Sequence, residues 1–185
     1  MTPVYDRPHR LRMTYLPRAG PILHMQAARI PVDVIMERVP LQNRWASERW
    51  QPAAVVPVTA MPGERPPCER LEGGAPVARW RCGGCEIELH PSEAEGYYLN
   101  LTAPEPKVFV LWRMFDDAEP PARPVIATVS YNEAARFLDG GEQVDGVALP
   151  ESIAQWMRPF IARHYRPEPR RKSRRNPLAS GPEKA

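Results

Sequence analysis

Cysteine and histidine are scarce in this 185-residue chain, with three of the first and four of the second. An odd, small cysteine count argues against a disulfide framework and makes a reducing, cytoplasmic setting the default expectation. Nowhere do about 18 apolar residues run together, as a membrane-spanning helix would need. The basic N-terminus lacks the apolar core of a signal peptide, because Pro17, Pro21, His24 and Gln26 interrupt it. No glycine-rich loop opens a helix: Gly140, Gly141 and Gly146 follow one, which suits a C-cap and turn and not a phosphate cradle. Nor does a histidine meet a nucleophile motif. His9 and His24 fall in the N-terminal stretch, His90 at a strand end and His164 on a helix stripe. Neither a catalytic residue nor a cofactor is expected.

Proline is abundant instead, at 24 residues, or about 13% against a usual 5%. Outside residues 125–149 no proline-free run exceeds 14 residues, which disfavours long helices and favours short strands joined by turns. Charge is uneven. Residues 1–29 hold five arginines against Asp6, a net of +4, and residues 166–185 carry a net of +5, which leaves residues 30–165 at −6 within the overall +3. The basic character thus belongs to the ends. Residues 1–28 lack apolar periodicity and are expected to form a disordered extension, with Met25 an alternative start; residues 166–185 are expected to form a disordered basic tail.

Between them, residues 29–165 read as a single α+β domain. In IPVDVIME the residues Ile30, Val32, Val34 and Met36 share one face and Asp33 and Glu37 the other, the period of a half-buried strand. Residues 43–58 look like a second extended segment anchored by Trp45 and Trp50, and residues 61–76, rich in proline and glycine, like a loop. Residues 77–90 predict two strands broken at Gly83-Gly84. YYLNLT at 97–102 and KVFVLWRMF at 107–115 read as antiparallel neighbours, the second buried on both faces; VIATVS predicts a last strand. Ser130 three residues before Glu133 predicts a capping box and a helix over 131–138, ended by Gly140. A second helix from Pro150 stripes Ile153, Trp156, Met157, Phe160, Ile161 and His164, with a kink or broken turn near Gln155 imposed by Pro159. The expected fold is a twisted antiparallel sheet or partly open β-barrel of six or seven strands with two C-terminal helices.

Four segments, PVDVIMERVPLQNRWASERWQPAAVVP, EAEGYYLNLTAPEPKVFVLWRM, TVSYNEAARFLDGGEQVDGV and PFIARHYRPEP, resemble a bacterial family of unknown function encoded near molybdenum-dependent formate dehydrogenase genes. The resemblance spans about residues 29–169. It implies a role in maturation, assembly or regulation of that enzyme system, through a protein partner and without catalysis. WRCGGCEIELH departs from the family, where no cysteine pair is expected.

Three groups of side chains are candidates for chemistry or contact. Cys82 and Cys85 have a Cys-x-x-Cys spacing that could hold zinc with Cys68 and His90, although the usual second close pair is missing. The simpler reading is a hairpin turn at Gly83-Gly84 beside partly buried thiols. RRKSRR in the tail could meet nucleic acid or another anionic partner nonspecifically, but it carries no aromatic platform for bases. Trp45 and Trp50 beside Arg44 and Arg49 are the candidates for contact with a protein partner, while core packing accounts for most tryptophans.

Overall fold

The computed structural model describes residues 28–42, 44–58, 67–73 and 76–167. Apart from Ala28, Arg166 and Pro167, the expected N-terminal extension, the alternative start at Met25 and the basic tail lie outside the described residues. In chain order the elements are β1 (Ala28–Pro40), β2 (Glu48–Pro57), β3 (Cys68–Leu71), β4 (Ala78–Leu89), a 3-10 turn (Pro91–Glu93), α1 (Ala94–Leu101), β5 (Lys107–Met114), β6 (Ala122–Thr128), α2 (Tyr131–Asp139), β7 (Val144–Ala148) and α3 (Glu151–His164). The fold is α+β, with the seven described strands in two antiparallel sheets ordered β2-β1-β4-β3 and β6-β5-β7. The sheets face each other with β4 beside β6 and β2 beside β7, and no hydrogen-bonded ladder crosses either seam, so the barrel does not close. No described helix is long and apolar enough to cross a membrane.

Strand β1 is the spine. It pairs with β2 on one side and β4 on the other, and Val32 through Met36 are all buried. Its inward residues Val32, Val34 and Met36 meet Val108, Val110 and Trp112 of β5 in one core cluster. Each such side chain contributes about 1.5–3 kcal/mol by leaving water. On the outward face Glu37 accepts hydrogen bonds from Gln51 Nε2 at 2.7 Å and Arg79 Nε at 3.2 Å, which offsets the cost of removing a carboxylate from water. Strand β5 is central, as its two-sided apolar pattern requires: β6 and β7 flank it, and α2 packs against it with Tyr131 edge-on to Phe109.

Several expectations need correction. Gly83-Gly84 does not break a hairpin; β4 runs through it, and Gly84, at φ +90°, takes the left-handed backbone where the β1–β4 register slips between Val32 and Val34. The segment expected as a strand at 97–102 is helix α1. Its tyrosines favour a strand locally, but helical spacing places Ala94, Tyr97 and Asn100 on one buried face. The described helices thus number three and not two, and the first precedes β5. Short strands β3 and β7 lie in stretches expected as loop and turn. Helix α2 begins and ends as the capping box and Gly140 predict. Helix α3 runs unbroken past Pro159, because Ile153, Met157 and Ile161 bury against the core and offset the lost hydrogen bond to Gln155.

Helices α1 and α3 plug one end of the sandwich. Tyr97 is fully buried edge-on to Phe160, and its hydroxyl accepts from the His90 N–H at 3.0 Å. Asn100 locks the plug to the start of β5 and to Val129, the residue after β6. Its Nδ2 donates to the carbonyls of Lys107 at 2.7 Å and Val129 at 2.9 Å, and its Oδ1 accepts from the Lys107 N–H at 2.9 Å. A second polar joint links the 3-10 turn to α2: Ser130 Oγ accepts from the Glu133 N–H at 3.1 Å and donates to Glu93 Oε2 at 2.7 Å, while Arg136 reaches Glu93 Oε1 at 2.8 Å. Gly96 is required here, since a Cβ would collide with Ser130 Oγ. Burial raises the Glu93 carboxyl, but the Ser130 and Arg136 hydrogen bonds and nearby positive charge outweigh it and hold the group below its ordinary value.

Asn100→Ala leaves one backbone donor and two carbonyls without their side-chain partner. It is expected to lower unfolding free energy by about 2–4 kcal/mol in denaturant titrations. A depressed Glu93 stabilises the folded state fully above the unfolded carboxylate value of about 4.3 and loses that contribution as pH falls through the folded value. Glu93→Gln is therefore expected to be less stable than the parent at neutral pH, with the difference narrowing on acidification, measured as Tm against pH.

Candidate functional site

The end of the sandwich opposite the helices carries the candidate site. Residues directly opposite in an antiparallel ladder share a face, and the register places Arg38 against Trp50 and Ala78, Met36 against Trp80, and Arg70 against Trp80. Arg38 thus continues the inward row Val34, Met36, and Arg70 stands on the same face one strand beyond Trp80. The inner face is apolar until its last position and then turns cationic.

Trp80 and Trp50 form the floor. Both are buried, with ring centroids 4.9 Å apart. The Arg38 and Arg70 guanidinium carbons lie 5.8 and 5.7 Å from the Trp80 ring centroid, within cation–π range. Glu48 accepts from Trp50 Nε1 at 3.2 Å and lies 3.7 Å from an Arg38 nitrogen. Above the floor is a cleft of about 490 Å³ lined by Arg38, Cys68, Arg70, Trp80 and Glu119. A second hollow of about 500 Å³ shares Arg38 and Arg70 and is walled by the turn after β3, including Glu72 and Gly73. Glu119 comes from the β5–β6 connection, which the Phe115 N–H closes by donating to the Pro121 carbonyl at 2.8 Å.

Exposed apolar side chains surround this end. The loop between β1 and β2 presents Trp45, 85% exposed, with Arg44 4.8 Å over its ring. Where β5 runs out, Met114 and Phe115 are 52% and 44% exposed. Tryptophan, arginine, methionine and phenylalanine are the side chains enriched in protein interfaces.

The four residues expected to meet a partner do not act together. Arg44 and Trp45 are at the rim, Trp50 is in the floor, and Arg49 points to the opposite face of β2, where it hydrogen-bonds Gln51. Strand alternation separates Arg49 from Trp50. The zinc set is not assembled either. Pairing of β3 with β4 sets Cys68 opposite Cys82, with Cα atoms 4.1 Å apart, and the two form a disulfide. This corrects the expectation drawn from the odd cysteine count, which left room for one bridge and one thiol. The remaining Cys85 is buried, and burial together with the Asp33 charge pushes its thiol up to about 11, so it stays protonated at neutral pH. His90 lies past the end of β4, 3.5 Å from Glu88. Among the described residues no group of three or more His, Cys, Asp or Glu is placed to hold a metal. The tail motif RRKSRR lies outside the described residues.

Sequence reading missed Arg38, Arg70 and Trp80. For Arg38 the signal was present: the alternation of Val32, Val34 and Met36, carried one step further, puts an arginine on the core face. For Arg70 none was, because the four-residue strand β3 sits among prolines and glycines.

Compared with known proteins, residues 31–174 match the family described as protein of unknown function (DUF3305). No curated protein and no solved structure matches the chain.

The floor and the rim are separable by mutation. Trp50→Ala removes a buried ring and is expected to cost about 3–5 kcal/mol; Trp45→Ala is expected to change stability by less than about 0.5 kcal/mol, both read from denaturant unfolding.

Proposed function

The chain belongs to the DUF3305 family, and from that premise we propose that it is a non-enzymatic binding protein that docks a protein partner at its open end. The observation that carries this reading is the ring of exposed Trp45, Met114 and Phe115 around an arginine-lined cleft with a rigid tryptophan floor. Large apolar side chains at a rim desolvate on docking, and the cleft supplies direction through charge. The settings of Cys85, Ser130 and His164 support the non-enzymatic part. The Cys85 thiol is buried and protonated, Ser130 is fully buried and committed to capping α2, and His164 stacks on Phe160 at 4.4 Å.

The setting comes from the resemblance, which implies maturation, assembly or regulation of a formate dehydrogenase; the family match itself carries no such link. For location, a disulfide persists in oxidising surroundings and is rare where thiols are kept reduced. The Cys68–Cys82 bridge therefore pulls against the cytoplasmic default, which rested on the cysteine count.

Deleting the gene in its native host is expected to lower formate dehydrogenase activity during growth on formate. Activity should return with the parent chain and not with the double variant Trp45→Ala/Phe115→Ala, since interface tryptophans carry about 2 kcal/mol or more each. Unchanged activity on deletion would end the formate dehydrogenase setting, and full rescue by the double variant would end the docking face.

A further inference from the structure

We propose that the open end is a carboxylate clamp, in which Arg38 and Arg70 hold one acidic side chain of the docked partner above the buried Trp80 indole. The inference rests on the docking reading and adds what the cleft recognises. Its first support is position. Two arginines on the core face of one sheet border a cleft whose floor is a tryptophan only 3% exposed, so a group entering there meets both guanidiniums beside a buried ring. A charge-assisted hydrogen bond in such a place is roughly twice as strong as a neutral one.

The second support is unspent charge. Among the described residues no carboxylate lies within ion-pair distance of Arg70, whose guanidinium carbon sits 5.7 Å from the Trp80 ring centroid. Arg38 has a single carboxylate partner, Glu48, at 3.7 Å, with both side chains 43% exposed. Such a pair is weak and can open to a better acceptor. Cys68, two residues before Arg70, is bonded to Cys82 of β4, so Arg70 is held in register before any ligand arrives.

The third support fixes the class of ligand. Glu119 lines the cleft and Glu72 the adjoining hollow. With Glu48 beside Arg38, these carboxylates offset much of the guanidinium charge and disfavour a multiply charged ligand. A run of phosphates would meet the acidic walls, whereas one planar carboxylate fits the planar fork of an arginine with two parallel hydrogen bonds.

The test uses the full chain, isotopically labelled, and a short blocked glycine peptide carrying one glutamate, with its glutamine counterpart and inorganic phosphate as comparisons. The glutamate peptide is expected to shift the Nε–H signals of Arg38 and Arg70 and the indole N–H of Trp80, and the glutamine peptide is not. Arg70→Gln should weaken glutamate-peptide binding about tenfold. Arg158→Gln, on α3 at the plugged end, should leave it unchanged. Arg38→Gln provides a second reading should Arg70→Gln lose its dispersed spectrum. No shift with the glutamate peptide, equal shifts with the glutamine peptide, or undiminished binding in both arginine variants would overturn the clamp. Phosphate moving the same signals at lower concentration would overturn it too, by assigning the cleft to another anion. If the clamp fails while Trp45 and Phe115 are still needed in the host, the docking face stands without it.

Discussion

Strand β1 is the constraint on which the rest depends. It is bonded along both edges and buried on both faces, so its alternation has no freedom to slip: one residue of shift would put Asp33 and Glu37 into the core and Val34 and Met36 outside. That fixed register lines up Val34 with Cys82, Met36 with Trp80 and Arg38 with Trp50. Through β4 it also sets β3, and with it Arg70. The arginines at the mouth therefore share the ladder that builds the core.

The two ends of the sandwich meet the same problem in opposite ways. An open barrel exposes the ends of its inner faces to water. At the end where β5 starts, α1 and α3 cover them with Tyr97, Ile153 and Met157, and Asn100 satisfies backbone groups that the turn into β5 would otherwise leave unpaired. Where β1 ends, no described helix covers the opening. There the inner face finishes in Arg38 and Arg70, which remain partly in water with their guanidiniums over the buried Trp80 ring. The uncovered end is thus a structural finish that leaves two guanidiniums at the surface.

Much of this was legible in the sequence, and the failures have physical causes. The strand period of β1, the two-sided burial of β5, and the cap and stop of α2 stand in the residues themselves, because local chemistry and tertiary packing agree there. Residues 97–102 misled because Tyr97, Tyr98 and Leu99 favour a strand locally while their helical spacing serves a core that only the folded chain defines. Gly83-Gly84 looked like a turn because a bulge within a continuous strand uses the same residue. The bridge between Cys68 and Cys82 depends on the placement of β3, which no local pattern announces. Trp45 and Trp50, similar in sequence, differ entirely in role, since the former lies in a loop and the latter at an inward strand position.

The central claim is that one end of the sandwich is sealed by helices and the other receives the partner. Amide hydrogen exchange on the chain alone and in the complex purified from its native host tests it most directly. The account predicts that backbone amides of Tyr97–Leu101 and Lys107–Val110 exchange at the slow rate of global unfolding in both samples. Amides of Arg44–Ser47 and of the Phe115–Pro121 turn should gain protection in the complex. Protection gained over α1 and α3, with the open end unchanged, would contradict it.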